Sequence, residues 1–190
     1  MDFTPFQKQV ASNLKSLLKN SKLSFHGHRF DVRTLELPGK SGHPIQRDFV
    51  IHPGAVVILP LLDEETVIMI RNERLATGET LWELPAGTLE PDEPPEDTAA
   101  RELIEETGYH AESIAPMTHF YTSPGICNEA MYAYVAKGLS FVGQNLDDSE
   151  EITTEAIRWP RLLEMVKNGQ VRDGKSIATL LYYHSFKKRF

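Results

Sequence analysis

The chain is predicted to be an α/β protein, a mixed sheet covered by helices with a helix-plus-strand appendage at its N-terminal end. Three observations lead there. Two runs, Ala55-Val56-Val57-Ile58-Leu59 and Thr66-Val67-Ile68-Met69-Ile70, are apolar without alternation, the pattern of strands covered on both faces. Residues 96–107, in the middle of the chain, have helical periodicity with one acidic and one apolar side. Two more helical segments close the chain, so the order of elements matches a sheet layered between helices.

The elements follow in order. Thr4-Pro5-Phe6-Gln7 has the form of a capping box with proline at the first helical position, and Phe6, Val10, Leu14, Leu17 and Leu18 continue an amphipathic helix to about Lys19. Residues 23–37 alternate loosely, with Phe25, Phe30, Val32, Leu35 and Leu37 as inward candidates on one or two strands. Pro38-Gly39-Lys40-Ser41-Gly42 reads as a hairpin connection, since the spacing of a phosphate loop is absent. Pro60 and the acidic turn Asp63-Glu64-Glu65 divide the two apolar strands. Trp82-Glu83-Leu84-Pro85-Ala86-Gly87 reads as a strand running into a tight glycine turn. Further strands are expected at 118–122, 130–136 and 155–159, and closing helices from Pro160 to about Asn168, stopped by Gly169, and from Lys175 to about Phe186. No internal repeat or low-complexity linker interrupts them.

Composition frames the function. The 190 residues, 41% hydrophobic, are enough for one core, so a single main domain over 45–190 is expected, preceded by an N-terminal appendage at 1–44. Twenty basic against 27 acidic residues give a formal charge of −7, which argues against a general nucleic-acid surface. Anionic substrates stay allowed, because bound cations invert the local field. Cys127 is the single cysteine, excluding an internal disulfide or a cysteine metal cluster, and no cysteine-enzyme motif surrounds it. Residues MDFTPFQKQV lack a signal-peptide core and no apolar run approaches a membrane span, so a soluble cytoplasmic protein is expected.

The central helix carries the chemistry. At about 100° per residue, Glu102, Glu105 and Glu106 share one arc, with Arg101 beside it and Ala100, Leu103 and Ile104 opposite. Pro94 and Pro95 suit the first turn, Glu96 and Asp97 favour the dipole, and Gly108 suits a left-handed stop. The bland alternative is a solvated face. Such a face normally sets Lys or Arg four residues after Glu, whereas here Glu106 follows Glu102 at that offset, a like-charge pair. A cation would relieve the repulsion. Carboxylates joined by a backbone carbonyl from the preceding turn, without His or Cys, point to a hard divalent ion such as Mg2+ or Mn2+.

The 23-residue run Gly87 to Tyr109 has Gly87, Glu93, Arg101, Glu102, Leu103, Glu105, Glu106, Gly108 and Tyr109 at the fixed positions of the Nudix box, GX5EX7REUXEEXGU with U a bulky apolar residue. The chain is thereby identified as resembling the Nudix hydrolase family. The resemblance implies an α/β/α sandwich and hydrolysis of a nucleoside diphosphate linked to another group, with the box holding divalent metal. It makes Glu102 and Glu106 primary ligands, Glu105 an assistant and the Ala86 carbonyl a further ligand, while Glu93 and Arg101 brace the motif.

Segments outside the box resemble the ADP-ribose and nucleoside diphosphate sugar pyrophosphatase branch over roughly 45–185. They are His52-Pro53-Gly54-Ala55-Val56, Trp82 to Gly87, Ser123-Pro124-Gly125 and Arg172-Asp173-Gly174-Lys175-Ser176, with Pro124 16 residues after Gly108. The expected activity is metal-dependent cleavage of a pyrophosphate bond to a nucleoside monophosphate and a sugar phosphate. Pro124 and Gly125 would contact substrate. Matching the acidic loop, Asp147-Asp148-Ser149-Glu150-Glu151, to the branch puts the water-activating base at Glu150 with Glu151 second; a merely solvated loop is the alternative. Arg71 resembles the branch's phosphate-binding arginine. Arg47 and Arg74 are weaker candidates whose alternative is a surface position. Glu83 could accept from a base or ribose, against an exposed strand end. Phe25 or Phe30 could stack on a base in a second subunit, against burial in the core; no tryptophan precedes Trp82. The substrate is thus expected to be a small nucleotide sugar, without nucleic acid or membrane, and the protein a homodimer. Two competing readings are a hydrolase of nucleoside triphosphates or capped RNA and a non-catalytic nucleotide-sugar binding module, the latter disfavoured by the complete box.

Overall fold

The computed structural model describes residues 2–28, 30–146, 151–186 and 190. Among them the chain forms ten strands and four helices. Seven strands make one mixed sheet: β4 (Ala55–Asp63) lies centrally, antiparallel to β5 (Thr66–Arg74) and parallel to β9 (Ala130–Phe141). β10 (Ile152–Arg158) and β8 (Tyr109–Tyr121) flank that core in the order β10-β5-β4-β9-β8. Two short strands extend it, β6 (Glu79–Glu83) beside β5 and β7 (Ala86–Thr88) beside β4.

The uninterrupted apolar run in β4 serves both sides of this sheet. Ala55, Val57, Leu59 and Leu61 pack with Leu162 and Met165 of α3 (Trp159–Lys167) and Leu180 and Tyr183 of α4 (Gly174–Phe186). Val56 and Ile58 face the other way, onto Ala99 and Leu103 of α2 (Pro95–Thr107). This is the expected α/β/α sandwich, and the alternation of side chains across a strand explains it. β8 begins at Tyr109, nine residues before the strand start expected at 118. Its first half is polar and half-exposed beyond the core, so its hydrophobic pattern is weak.

The N-terminal region is α1 (Thr4–Asn20) and a separate antiparallel sheet of β1 (Lys22–His26), β2 (Asp31–Pro38) and β3 (Pro44–Ile51). The expected capping box does not form: Thr4 is already helical, and its N–H donates to Asp2 Oδ1 at 2.8 Å. Phe3 is the anchor, buried against Tyr132 and Tyr134. A boundary at residue 44 assigns β3 to the main domain, but β3 pairs along its length with β2. It meets the rest at Val50, whose N–H donates to the Ile126 carbonyl at 2.8 Å. Phe25 on β1 and Phe30 in the connection before β2, expected inward, are 56% and 44% exposed.

Candidate active site

Helix α2 is set between two backbone devices. Pro94 precedes it in an extended conformation, and Gly108 ends it at φ 74° while donating to the Ile104 carbonyl at 2.8 Å. A side chain at Gly108 would suffer both the left-handed backbone and a contact of 2.7 Å with Phe141. The buried stripe of α2 runs through Thr98, Ala99, Leu103, Glu106 and Thr107, while Ala100 and Ile104 are only half-buried. Glu106 therefore sits on the packed side of the acidic arc.

Arg101 organises the carboxylates around it. Its guanidinium takes Glu93 in a two-pronged bond, Nε to Oε1 at 3.1 Å and Nη2 to Oε2 at 3.0 Å. The remaining nitrogen, Nη1, donates to Glu102 Oε1 at 2.8 Å and to Glu105 Oε2 at 2.9 Å. Thr98 Oγ1 adds a bond to Glu93 Oε2 at 2.8 Å. The Arg101 bonds chiefly hold the Glu93 carboxyl below its usual range. Arg101, expected beside the acidic arc, thus bonds two of its three glutamates.

Two of the glutamates lie against β7. Glu106, 3% exposed, accepts the Ala86 N–H at Oε2, 2.8 Å away. Glu102 crosses above Gly87, where an added Cβ would stand 1.9 Å from its Cδ. Gly87 has no positive φ and makes no turn; the chain breaks earlier, at Leu84-Pro85, because proline offers no N–H to the ladder. Glycine is needed there for the space.

Beside β7 opens a cavity of 740 Å³, lined by Ala86, Gly87 and Thr88 together with Arg74, Glu83, Glu129 and Lys175 among others. Glu83 is 1% exposed and fully engaged: Arg74 grips it through Nε and Nη2, both at 2.7 Å, and Lys175 pairs with it as well. Burial by itself would raise the Glu83 pKa; the Arg74 bonds and the Lys175 charge outweigh it and leave the carboxyl below its usual value. The exposed strand end considered for Glu83 is therefore wrong, and Arg74 is half-buried at the cavity wall.

Other expected contacts lie elsewhere. Arg71 and Arg74, three residues apart on β5, face opposite sides, and Arg71 stacks over the Trp82 ring with 5.4 Å to its centroid. Arg47 is exposed on β3 and donates to the neighbouring Gln46 carbonyl. Pro124 and Gly125 form the exposed turn closed by the Ile126 N–H on the Ser123 carbonyl, next to cavity-lining Thr122. Glu151 is exposed just before β10, and Glu150 lies outside the described residues.

Sequence reasoning missed Glu129. It accepts from Thr122 Oγ1 and stands 3.7 Å from His52 Nδ1 on the cavity wall. An isolated glutamate in a polar connection carries no periodic signal. Burial pushes the His52 pKa down, against the opposing charge of Glu129. Cys127 is a packed thiol, raised by burial and accepting the Glu129 N–H.

A sequence model of the NUDIX domain matches residues 51–180. The chain belongs to the Nudix family. Among curated relatives, an ADP-ribose pyrophosphatase of Bacillus subtilis is 39% identical, over 80% of this chain and 82% of its own. A GDP-mannose pyrophosphatase of Citrobacter koseri is 31% identical over 90% and 95% respectively, and a methanol dehydrogenase activator of Bacillus methanolicus 35% over 81% and 83%. The solved structure of an ADP compounds hydrolase shares the fold, with TM-score 0.78 and 20% identity over 90% of this chain and 92% of that one.

The Nudix glutamates suit a divalent cation in donor chemistry, since Glu102, Glu105 and Glu106 offer only carboxylate oxygens. Among the described residues no three acidic, His or Cys side chains already converge as a ligand set. Arg101 draws Glu102 and Glu105 to itself, while Glu106 turns to Ala86.

Proposed function

We propose that this Nudix enzyme hydrolyses the pyrophosphate bond of ADP-ribose and nucleoside diphosphate sugars, dependent on Mg2+ or Mn2+, giving a nucleoside monophosphate and a sugar phosphate. The observation that carries this reading is the approach of Glu102 and Glu106 to the Ala86-Gly87 backbone at the wall of a cavity large enough for a nucleotide sugar. The names of the Bacillus subtilis and Citrobacter koseri relatives support the substrate class.

In this scheme Glu102 and Glu106 hold the metal, with Glu105 and the Ala86 carbonyl assisting. A cation held there would supply charge against the phosphate oxygens and would make a bound water more acidic. Arg101 keeps Glu102 and Glu105 on one side of the helix and is itself held by Glu93. Water adds to one phosphorus and the other phosphate leaves, so ADP-ribose gives AMP and ribose 5-phosphate. Glu150, or its neighbour Glu151, takes the proton from that water. Pro124 and Gly125 contact substrate beside the cavity, and Arg47 does so in an assembly in which a second copy brings its N-terminal sheet over the site, while Arg71 stays stacked over Trp82. Exposed Leu23 and Phe25 on β1, with Phe30 in the connection that follows, are the surface for such a homodimer, with residues 1–44 as its main element. No helix is long and apolar enough to cross a membrane among the described residues.

The test is an assay with and without Mg2+ over ADP-ribose, ADP-glucose, GDP-mannose, UDP-glucose and nucleoside triphosphates, with products identified. Release of a nucleoside monophosphate and sugar phosphate is expected; triphosphate cleavage alone would overturn the substrate class. Light scattering checks the dimer.

A further inference from the structure

The segment Arg172-Asp173-Gly174-Lys175-Ser176 reaches back to the strand break at Leu84-Pro85, near the middle of the chain. Between β6 and β7 the sheet is interrupted, and the two residues there are held differently, Pro85 from within the sheet and Leu84 from outside it. The Pro85 carbonyl accepts the Ile58 N–H at 2.9 Å, and the N–H of fully buried Leu84 donates to Ser176 Oγ at 2.7 Å. Ser176 is itself fully buried, and its hydroxyl proton goes to Asp173 Oδ2 at 2.5 Å. The same carboxylate oxygen accepts the Ser176 N–H at 3.0 Å. A hydroxyl has one proton to give, so Asp173 aims the Ser176 lone pairs at Leu84.

The rest of the turn reinforces the same place. Lys175 joins Asp173, at 3.0 Å, to Glu83, the residue before Leu84, and Arg172 pairs with Glu79 at the start of β6. Downstream of Leu84 are Ala86, whose N–H holds Glu106, and Gly87, the seat of Glu102. β7 is only three residues long, so its position depends on what holds its entrance.

We propose that Ser176, oriented by Asp173, is a positioning residue for the metal-binding carboxylates: it sets the Leu84–Gly87 backbone on which Glu102 and Glu106 rest. This inference stands on the metal role given to those glutamates under the proposed function. Loss of the Ser176 hydroxyl loosens metal binding before it touches the nucleotide. Outer partners of this kind change metal affinity by about 10- to 100-fold when removed.

The experiment is Mn2+ binding without substrate, read from the electron paramagnetic resonance signal of free ion, on the wild-type protein, Ser176→Ala, Asp173→Asn and Thr179→Val. Thr179 is a buried residue on the same helix whose hydroxyl has no partner among the described residues, so its variant disturbs α4 without touching Leu84. Ser176→Ala is expected to weaken Mn2+ binding about tenfold and to raise the Mg2+ needed for half-maximal rate in step, with the KM for nucleotide unchanged. Asp173→Asn shifts both the same way, and Thr179→Val shifts neither. Should Ser176→Ala fail to fold, Asp173→Asn decides. Folded variants with unaltered Mn2+ binding overturn the positioning role alone; a wild-type protein that binds no Mn2+, or a Glu106→Gln variant that binds it normally, overturns the metal assignment and the inference with it.

Discussion

The carboxylate of Glu102 lies directly over the α-carbon of Gly87, in the volume any larger residue would fill: an added Cβ would meet Cδ and Oε1 at 1.9 Å each. One residue back, Ala86 donates its N–H to Glu106. The box therefore works as a packed joint between helix α2 and strand β7. Gly87 and Glu102 are 15 residues apart in the chain and need one another's shape.

Gly87→Ala is expected to displace Glu102 and lower turnover about 100-fold, the scale of a misplacement near 1 Å at a reacting centre. Overpacking of this kind costs about 1–3 kcal/mol in stability, leaving a folded protein. Steady-state kinetics with a thermal melt would check it, and normal turnover would show that the Glu102 position is unimportant.

Glu106→Gln should remove Mg2+-dependent turnover while the fold persists. The amide keeps a carbonyl oxygen able to accept from Ala86, so the joint survives while the charge is lost. Circular dichroism and an activity assay separate the two effects. Retained activity would refute the metal role of this residue.

Glu150→Gln is expected to lower kcat far more than it changes Mg2+ affinity, because a base acts on the water rather than holding the ion. Glu151→Gln should have the smaller effect. The reverse ranking in parallel assays transfers the role to Glu151.

Arg101→Lys keeps the charge but loses the fork that reaches Glu93, Glu102 and Glu105 together. Mg2+ dependence should weaken by about tenfold. The Glu93 pair also has a pH signature. Its folded pKa is lowered from 4.5, chiefly by Arg101, so its stability is present above that value and lost as pH falls through the folded pKa. Glu93→Gln should flatten the acid limb of stability measured by urea unfolding between neutral pH and about pH 3; an unchanged limb would contradict the pairing.

His119 carries a second pH dependence. Phe6 stacks on it at 3.8 Å, Phe3 meets it edge-on at 5.8 Å, and its Nδ1 is buried without a partner among the described residues. Burial lowers its pKa from 6.5, so as pH falls below that value the unfolded chain takes the proton first. Stability is then complete above 6.5 and lost toward the folded value. His119→Phe should reduce the slope between pH 7.5 and about 5.5, leaving the part due to buried His52, and a slope equal to the wild type's would rule out His119 as a source.

Much of this protein is legible from residue order because the relevant forces are local. The period of α2, the left-handed stop at Gly108 and the two covered strands β4 and β5 are properties of neighbouring residues. The box spacing likewise identifies Glu102, Glu105 and Glu106 and the kind of ion they suit. What tertiary structure alone decided is which of these groups are already engaged. Arg71 and Arg74 look interchangeable in sequence, and a strand's alternation puts only Arg74 on the cavity with Glu83. Gly87 reads as a turn until Glu102 is seen to occupy its missing side chain. Ser176 gains its meaning from Leu84, 92 residues earlier. Spacing along a chain reports what one element can do, while hydrogen bonding and exclusion of volume between distant elements determine where its side chains are held.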